Sequence, residues 1–348
     1  MNEMNIAELL ADQLEKLLSA RVNAESLASL EAGGADLSLW QEIEEMGVAD
    51  VMRTGADDAG LGWQDCAELF RVLGRHAAPL PLAETLFARR LLSQANLDIP
   101  EGPLAVIDPS ANADIQLDVT GCLQGEAAMV SWASWATQLL GLARRGDETF
   151  LFSVAASDVA ARLEQCDSLE RAPTSAVDFS GITPLAVVAI SDASQIRSGL
   201  AVMRALMISG ACDKVVELAV DYANTRKQFG KPIGKFQALQ HQLAEASCRA
   251  AAAEMAGKYA CRELDKDQFL AGAAVAKYTA SVAAKDVSRI GHQVFGAIGI
   301  TDEHELHYYT RRLWQWRAEA GNERYWSEQL GNKVLAAGSA QLWSSLTA

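Results

Sequence analysis

The sequence predicts an α+β chain, mostly helical, in which a small β module is set between two helical regions. Three observations point to this order. Helical periodicity runs from Ile6 to about Arg90, short apolar or alternating runs follow from about Pro100, and long helix-forming stretches return after Asp192. The implied domains are an N-terminal helical domain over 1–99, a β domain over 100–185 and a helical bundle over 186–348. A chain of 348 residues accommodates such a division, because single cores stop growing beyond roughly 250–300 residues.

In the first region Leu9, Leu10, Leu14, Leu17 and Leu18 fall on one helical face. The segments LSLWQEIEEMG and DCAELFRVLGRH repeat that rhythm, and Gly60, Gly62 and the stretch APLPLAET punctuate it. In the second region GPLAVIDP, ADIQLDVTGC, AAMVSWASWATQLLGLAR, TFLFSVAA and SAVDFSG are bounded by Gly, Pro, Asp and Ser, which predicts a mostly antiparallel module. The third region offers helices over roughly Ser194–Thr225, Lys235–Leu264 and Lys266–Ala297, and a last group from His304. Alanine and other small residues at many of its packing positions suit the close approach of antiparallel helices. Tyr222, Leu239 and Leu243 stand at core spacing, and so does Phe236.

Composition narrows the function. Half of the residues are hydrophobic and 22% are charged, the balance of a folded chain. A net charge of −15 argues against nucleic acid and against an anionic membrane surface, both of which recruit Lys and Arg. The N-terminus carries acids instead of a basic segment followed by an apolar one, and no apolar run approaches the ~20 residues needed to cross a bilayer. The six cysteines (Cys66, Cys122, Cys166, Cys212, Cys248, Cys261) are dispersed, so reduced thiols and a cytoplasmic location are expected. His304, Glu305 and His307 lack both the HExxH and the paired ExxH spacings, and no metal site is expected there. No GxGxxG follows a strand, Ser209 before Gly210 has no nucleophile-elbow context, and tryptophans such as Trp314, Trp316, Trp326 and Trp343 suit packing or interfaces.

The segment YANTRKQFGKPIGKFQALQHQLAE, residues 222–245, collects guanidinium and amide donors around a turn. Together with HQVFGAIGITDEHELHYYTRRLW, residues 292–314, it resembles the paired signatures of the acyl-CoA dehydrogenase family. LWQEIEEMG and GRHAAPLPLAETLFARRLL look like that family's N-terminal helical domain. The resemblance extends over nearly the whole chain and implies the family fold with a C-terminal four-helix bundle. It further implies FAD at a subunit interface, an acyl-CoA substrate and electron-transfer flavoprotein or a similar acceptor. Mapped onto this sequence, Arg226, Gln237 and Gln293 would reach a neighbour's FAD, Gln228 and Phe229 would line the approach and Gly230 would open the turn. Gly296 and Gly299 would let backbone approach the ligand at the other end. An arginine fork matches a pyrophosphate, and glutamine amides both donate and accept. Read without the family pattern, the same arginine is a partner for a helix C-terminus or a solvated side chain, and Phe229, like Phe236, is a candidate core residue, Phe236 the stronger of the two.

The same resemblance asks for a glutamate base, and the sequence does not supply one in register. Counted without a gap from the second signature, the family position falls on Ala320, beside Glu319. One residue of slip on a helix rotates a side chain by about 100°. The alternative location, IRSGLAVMRALMISGAC, has no acid, and Leu200, Ala201 and Met207 stand where a base could be. The Thr-Glu-Pro-type stretch before the β strands is also missing. These losses match the smaller subunit of bacterial heterotetrameric (α2β2) enzymes acting on steroid side-chain or ring-derived acyl-CoA, whose larger homologue supplies the base. A self-sufficient homotetramer using Glu319 and a non-enzymatic oligomerisation or binding paralogue remain as alternatives. Gly199, Ala201, Ser209 and Gly210 would either make room for a bulky substrate or serve helix packing.

Overall fold

The computed structural model describes residues 6–55, 58–110 and 114–338. Five helices open the chain: α1 Ile6–Arg21, α2 Ala24–Glu31, α3 Leu37–Glu45, α4 Trp63–Arg75 and α5 Leu82–Gln94. Ala7, Ala11, Leu14 and Leu18 form the buried stripe of α1, at the three- and four-residue spacing that keeps one helical face inward. The first turn of α4 is capped from far away in sequence. Asp265 accepts from the backbone N–H groups of Trp63 (2.8 Å) and Gln64 (2.9 Å), neutralising donors that the helix cannot satisfy itself.

The central module comprises β1 Leu104–Val106, β2 Gln116–Leu117, β3 Leu123–Gln124, β4 Glu126–Ser131, β5 Gln138–Arg145 and β6 Glu148–Ala155. A short helix, α6 Ala156–Val159, precedes β7 Leu163–Gln165, β8 Thr174–Asp178 and β9 Ala186–Ile190. One sheet has the order β3-β2-β5-β6-β9 with β1 parallel to β5, and a second has the order β4-β8-β7. All pairs are antiparallel except β1–β5 and β2–β5. Strand β9 pairs with β6 from Thr149↔Ile190 to Ser153↔Ala186, so the module's last strand lies just past the 185 edge assigned from sequence. Its core, with Ile107, Leu139, Phe152, Val154 and Phe179, is separate from the helical core.

The C-terminal region is built on α7 Ser194–Thr225, α8 Gln237–Leu264 and α9 Phe269–Phe295, with α10 Leu306–Ala318 as the fourth member and α11 Glu323–Ala337 against α9. Between α7 and α8 the strands β10 Lys227–Gln228 and β11 Lys231–Pro232 make a small hairpin. The small residues of α7 serve packing. A Cβ on Gly210 would overlap the Arg71 carbonyl and one on Gly74 the Met207 carbonyl, so α4 and α7 cross with their backbones in contact. A Cβ on Gly199 would come within 2.6 Å of the Phe87 ring, Ala201 is fully buried, and the Ser209 hydroxyl donates to the Leu206 carbonyl. These positions therefore leave no room for a substrate. Tyr222, Phe236, Leu239 and Leu243 are half-buried against the main core, while Phe229 is 91% exposed and is not a core residue. Trp316 and Trp326 are buried and Trp314 is exposed; Trp343 lies outside the described residues. Cys66, Cys212 and Cys261 are buried, and burial pushes the Cys66 thiol up to about 12.

Candidate functional site

Two arrangements bear on function, one on the surface and one inside. On the surface, α7 ends at Thr225 and Arg226 turns extended, its carbonyl accepting from Ile233 N–H at 2.9 Å. The hairpin that follows has Phe229 at φ 50° and Gly230 at φ 78° as its central residues. Two successive left-handed residues give the turn whose twist matches the flanking strands. Glycine adopts that conformation freely, whereas a phenylalanine there is strained and projects its ring into solvent. The Phe229 ring meets Phe236 edge-on at 6.1 Å, and the Lys231 ammonium lies 4.4 Å from the Phe236 ring. Phe236 is the extended N-cap of α8, which places Gln237 at the helix's first turn.

Arg226, Gln228, Gln237 and Gln293 are all exposed. Near Gln293, Gly296 ends α9 with φ 64° and ψ −138°, a conformation essentially restricted to glycine, and nothing lies within 4 Å of where its Cβ would be. Gly299 differs: it is buried, and a Cβ there would lie 2.8 Å from Phe295 Cβ and 3.0 Å from Leu306 Cδ2. Its small size is accounted for by that packing.

Inside, where β1 and β4 meet α5, α7 and the end of α10, there is a cavity of about 170 Å³. Its lining includes Glu84, Asp108, Met129, Leu200, Arg204 and Glu319. Arg204 dominates it. The guanidinium Nε donates to Glu319 Oε2 at 2.6 Å and Nη2 to Glu84 Oε1 at 2.6 Å. The second oxygen of Glu319 accepts from Gln315 Nε2 at 2.9 Å. Burial opposes the Arg204 charge, but Glu319 and Glu84 outweigh it and hold the group above the ordinary guanidinium range. Glu319 itself is the extended C-cap of α10. Ala320, the ungapped family position, sits at φ 52° with its N–H donated to Asp108 Oδ2 at 2.6 Å.

Further polar groups close the region. Glu170 is buried and accepts from Trp316 Nε1 at 2.8 Å; burial, then the negative charge of Glu319, raises it to about 7. Lys277 is also fully buried and donates to the carbonyls of Arg317 (2.8 Å) and Gly321 (3.0 Å), tying down both sides of the α10–α11 corner. Burial pulls its ammonium down to about 7.

A general base needs a free lone pair and space for the reacting carbon. Each Glu319 oxygen accepts one hydrogen bond, from Arg204 or Gln315, and the space beside it is smaller than the roughly 300–1,000 Å³ of small-molecule pockets. Leu200, Ala201 and Met207 are buried apolar residues and carry no proton. Sequence reasoning missed Arg204, Glu84, Glu170 and Lys277. For Arg204 a signal was present: a charge between Leu200 and Ile208, in an apolar stretch of α7, is almost never buried unless it is paired.

Residues 193–334 match the family model described as acyl-CoA dehydrogenase, C-terminal domain. Acyl-CoA dehydrogenase IpdE2 of Mycobacterium tuberculosis is 31% identical over 281 residues, covering 80% of this chain and 81% of that protein. A chain of the ChsE4–ChsE5 complex from M. tuberculosis superposes with a TM-score of 0.86 at 20% identity, over 96% of this chain and 98% of that one. The Tcur3481–Tcur3483 steroid ACAD gives a TM-score of 0.85 at 24% identity, over 95% and 98%. At those identities the structural likeness speaks for fold alone.

Proposed function

This chain belongs to the acyl-CoA dehydrogenase family, and from that premise we propose that it is one subunit of a flavin-dependent dehydrogenase that desaturates an acyl-CoA thioester. It completes the FAD site of a larger partner subunit, which supplies the glutamate base. What carries this reading is the ion cluster Glu84–Arg204–Glu319, which holds the candidate base Glu319 in hydrogen bonds and leaves a cavity of only about 170 Å³ beside it.

The exposed residues fit the nucleotide end of FAD. Arg226 offers a planar fork for a pyrophosphate, and Gln228, Gln237 and Gln293 offer amides that suit ribityl, phosphate and adenine oxygens and nitrogens. Gly296 leaves its backbone open to close approach. The strained, exposed Phe229 gives the hairpin an apolar tip that an interface would bury. FAD held there would supply the acceptor for the hydride that leaves the substrate β-carbon. The interior does not fit a flavin ring and an acyl chain: its cavity of about 170 Å³ is small and lined by charges.

The α2β2 arrangement is supported by the two-protein complexes among the structural relatives, ChsE4–ChsE5 and Tcur3481–Tcur3483. The steroid label of the second supports a bulky ring-derived acyl group as substrate, with electron-transfer flavoprotein or a similar acceptor taking the electrons. A cytoplasmic location accords with the dispersed free cysteines, and among the described residues no helix is long and apolar enough to cross a membrane. Co-expression with a larger homologue encoded nearby tests the reading through the visible spectrum. The expected result is a flavin-bearing heteromer and a nearly colourless chain alone, with Arg226→Ala lowering the flavin content of the heteromer. A yellow homo-oligomer that bleaches with acyl-CoA, and loses turnover in Glu319→Gln, would show a self-sufficient enzyme. Absence of flavin with every partner, and no effect of Arg226→Ala, would show a non-enzymatic paralogue.

A further inference from the structure

Away from both arrangements, β9 ends the larger sheet and pairs with β6 alone. The Ala156 N–H donates to the Thr137 carbonyl at 3.0 Å, and with Gln138 opposite Ala155 this aims the backbone groups of the even-numbered β6 residues at β5. Thr149, Leu151 and Ser153 therefore bond across to Ile190, Val188 and Ala186, and the N–H and C=O groups of Val187 and Ala189 point away from the sheet. None of these four groups has a partner among the described residues.

The other sheet edges are blunted. Strand β3 has two residues, β7 has three, and β4 shifts register between Ala127 and Val130. Strand β9 has five residues in unbroken register, Ala-Val-Val-Ala-Ile, with no charge, proline or bulge. Ala189 is exposed, and Leu185 just before the strand is 57% exposed. Only another extended backbone completes such an edge. The strand is its own complement. With a two-fold axis through Val188, Val187 falls opposite Ala189 of a second copy and Ala189 opposite its Val187, so the outward groups of the two strands close four hydrogen bonds. The remaining cross-strand pairs, Val188 on Val188 and Ala186 on Ile190, are apolar. Asp192 is the one charged residue lining the cavity of about 250 Å³ between α5 and β9, and antiparallel pairing carries its two copies to opposite ends.

We propose that two copies of this chain associate through an antiparallel β9–β9 pairing centred on Val188, which joins their sheets into one. Sedimentation and amide hydrogen exchange of the full chain, followed over a wide range of concentration, test it. The expected result is a monomer–dimer equilibrium in which the Val187 and Ala189 amides gain about tenfold protection at high concentration, while those of Val188 and Ile190, already bonded to β6, exchange slowly throughout. Val188→Lys sets two ammonium groups against each other at the axis, and Val188→Glu two carboxylates. Each variant alone should be monomeric, and an equimolar mixture should dimerise again. Slow exchange at Ile190 in both checks that the β6 ladder is intact. Ala189→Pro removes an outward N–H without touching that ladder and should weaken association about tenfold. Fast exchange at Val187 and Ala189 at every concentration overturns the proposal. So does a dimer that survives Val188→Lys and Val188→Glu, or fails to return when the two are mixed, because another face would then hold the copies together. Protection that appears only on adding the larger homologue overturns it too, and gives the edge to that partner. Flavin content enters none of these readouts, so their failure would leave the heteromer question untouched.

Discussion

Replacing Arg204 by leucine is the sharpest test of the interior. The side chains of Arg204, Glu84 and Glu319 are 7%, 4% and 16% exposed, so the cluster sits largely out of water and is weakly screened. Arg204→Leu removes the cation from between two carboxylates and leaves Glu84 buried with its charge unpaired. Breaking a buried pair in this way costs about 3–5 kcal/mol. With an m-value of about 3 kcal/mol/M, the urea midpoint should fall by about 1–1.7 M. Glu319→Gln should cost less, about 1–2 kcal/mol, since Arg204 keeps Glu84 and the amide oxygen still accepts from it. Replacing Glu84, Arg204 and Glu319 together by leucine should recover most of the loss, because the desolvation penalty goes along with the attraction. Equilibrium urea unfolding followed by far-UV circular dichroism reads all of these. The reasoning fails if Arg204→Leu unfolds no earlier than Glu319→Gln, or if the triple variant is no more stable than Arg204→Leu alone.

Other predictions follow from the same geometry. Glu170 has its folded pKa raised to about 7 from an ordinary 4.5, so the folded state holds the extra proton between these values. Its contribution to stability therefore falls as pH rises from about 4.5 to 7, and the wild type should lose stability relative to Glu170→Gln across that window in pH-dependent urea titrations. Lys277 is lowered to about 7 from 10.5, so the unfolded state binds more protons between 7 and 10.5, and its cost diminishes as pH rises through that range. Lys277→Met removes this slope but leaves the Arg317 and Gly321 carbonyls without their donor, with a net loss of about 1–3 kcal/mol at pH 10 in the same assay. Phe229→Asn suits the left-handed turn position better than phenylalanine, so the isolated chain should gain about 1 kcal/mol in thermal melts, while the proposed heteromer should retain less flavin on gel filtration.

Much of the architecture was legible because it depends on periodicity. The bounds of α7 were read at Ser194 and Thr225, and α8 and α9 begin two and three residues inside the expected Lys235 and Lys266. The hairpin β10–β11 escaped notice because four strand residues around Phe229-Gly230 carry no alternation, and a phenylalanine disguises a turn that asparagine would announce. Arg226, Gln228, Gln237 and Gln293 are exposed, and neither their spacing nor their exposure distinguishes a ligand-binding donor from a solvated one. Glu319 was singled out from its position relative to a motif. Its charged partner Arg204 lies 115 residues away along the chain, and the second carboxylate on that guanidinium, Glu84, lies 120 residues from Arg204; no local pattern encodes such a meeting. Gly299 illustrates the converse, since a glycine in a signature turned out to be required by the neighbouring Phe295 and Leu306 side chains.

The crossing of α4 and α7 at Gly74 and Gly210 has a consequence for how such a chain diverges. With main chain seated directly on main chain, the helical frame takes its spacing from atoms common to every amino acid, and the side chains lining nearby chambers have little say in it. Side chains elsewhere on α7, Arg204 among them, can then be exchanged without disturbing the scaffold that carries the outward-pointing hairpin.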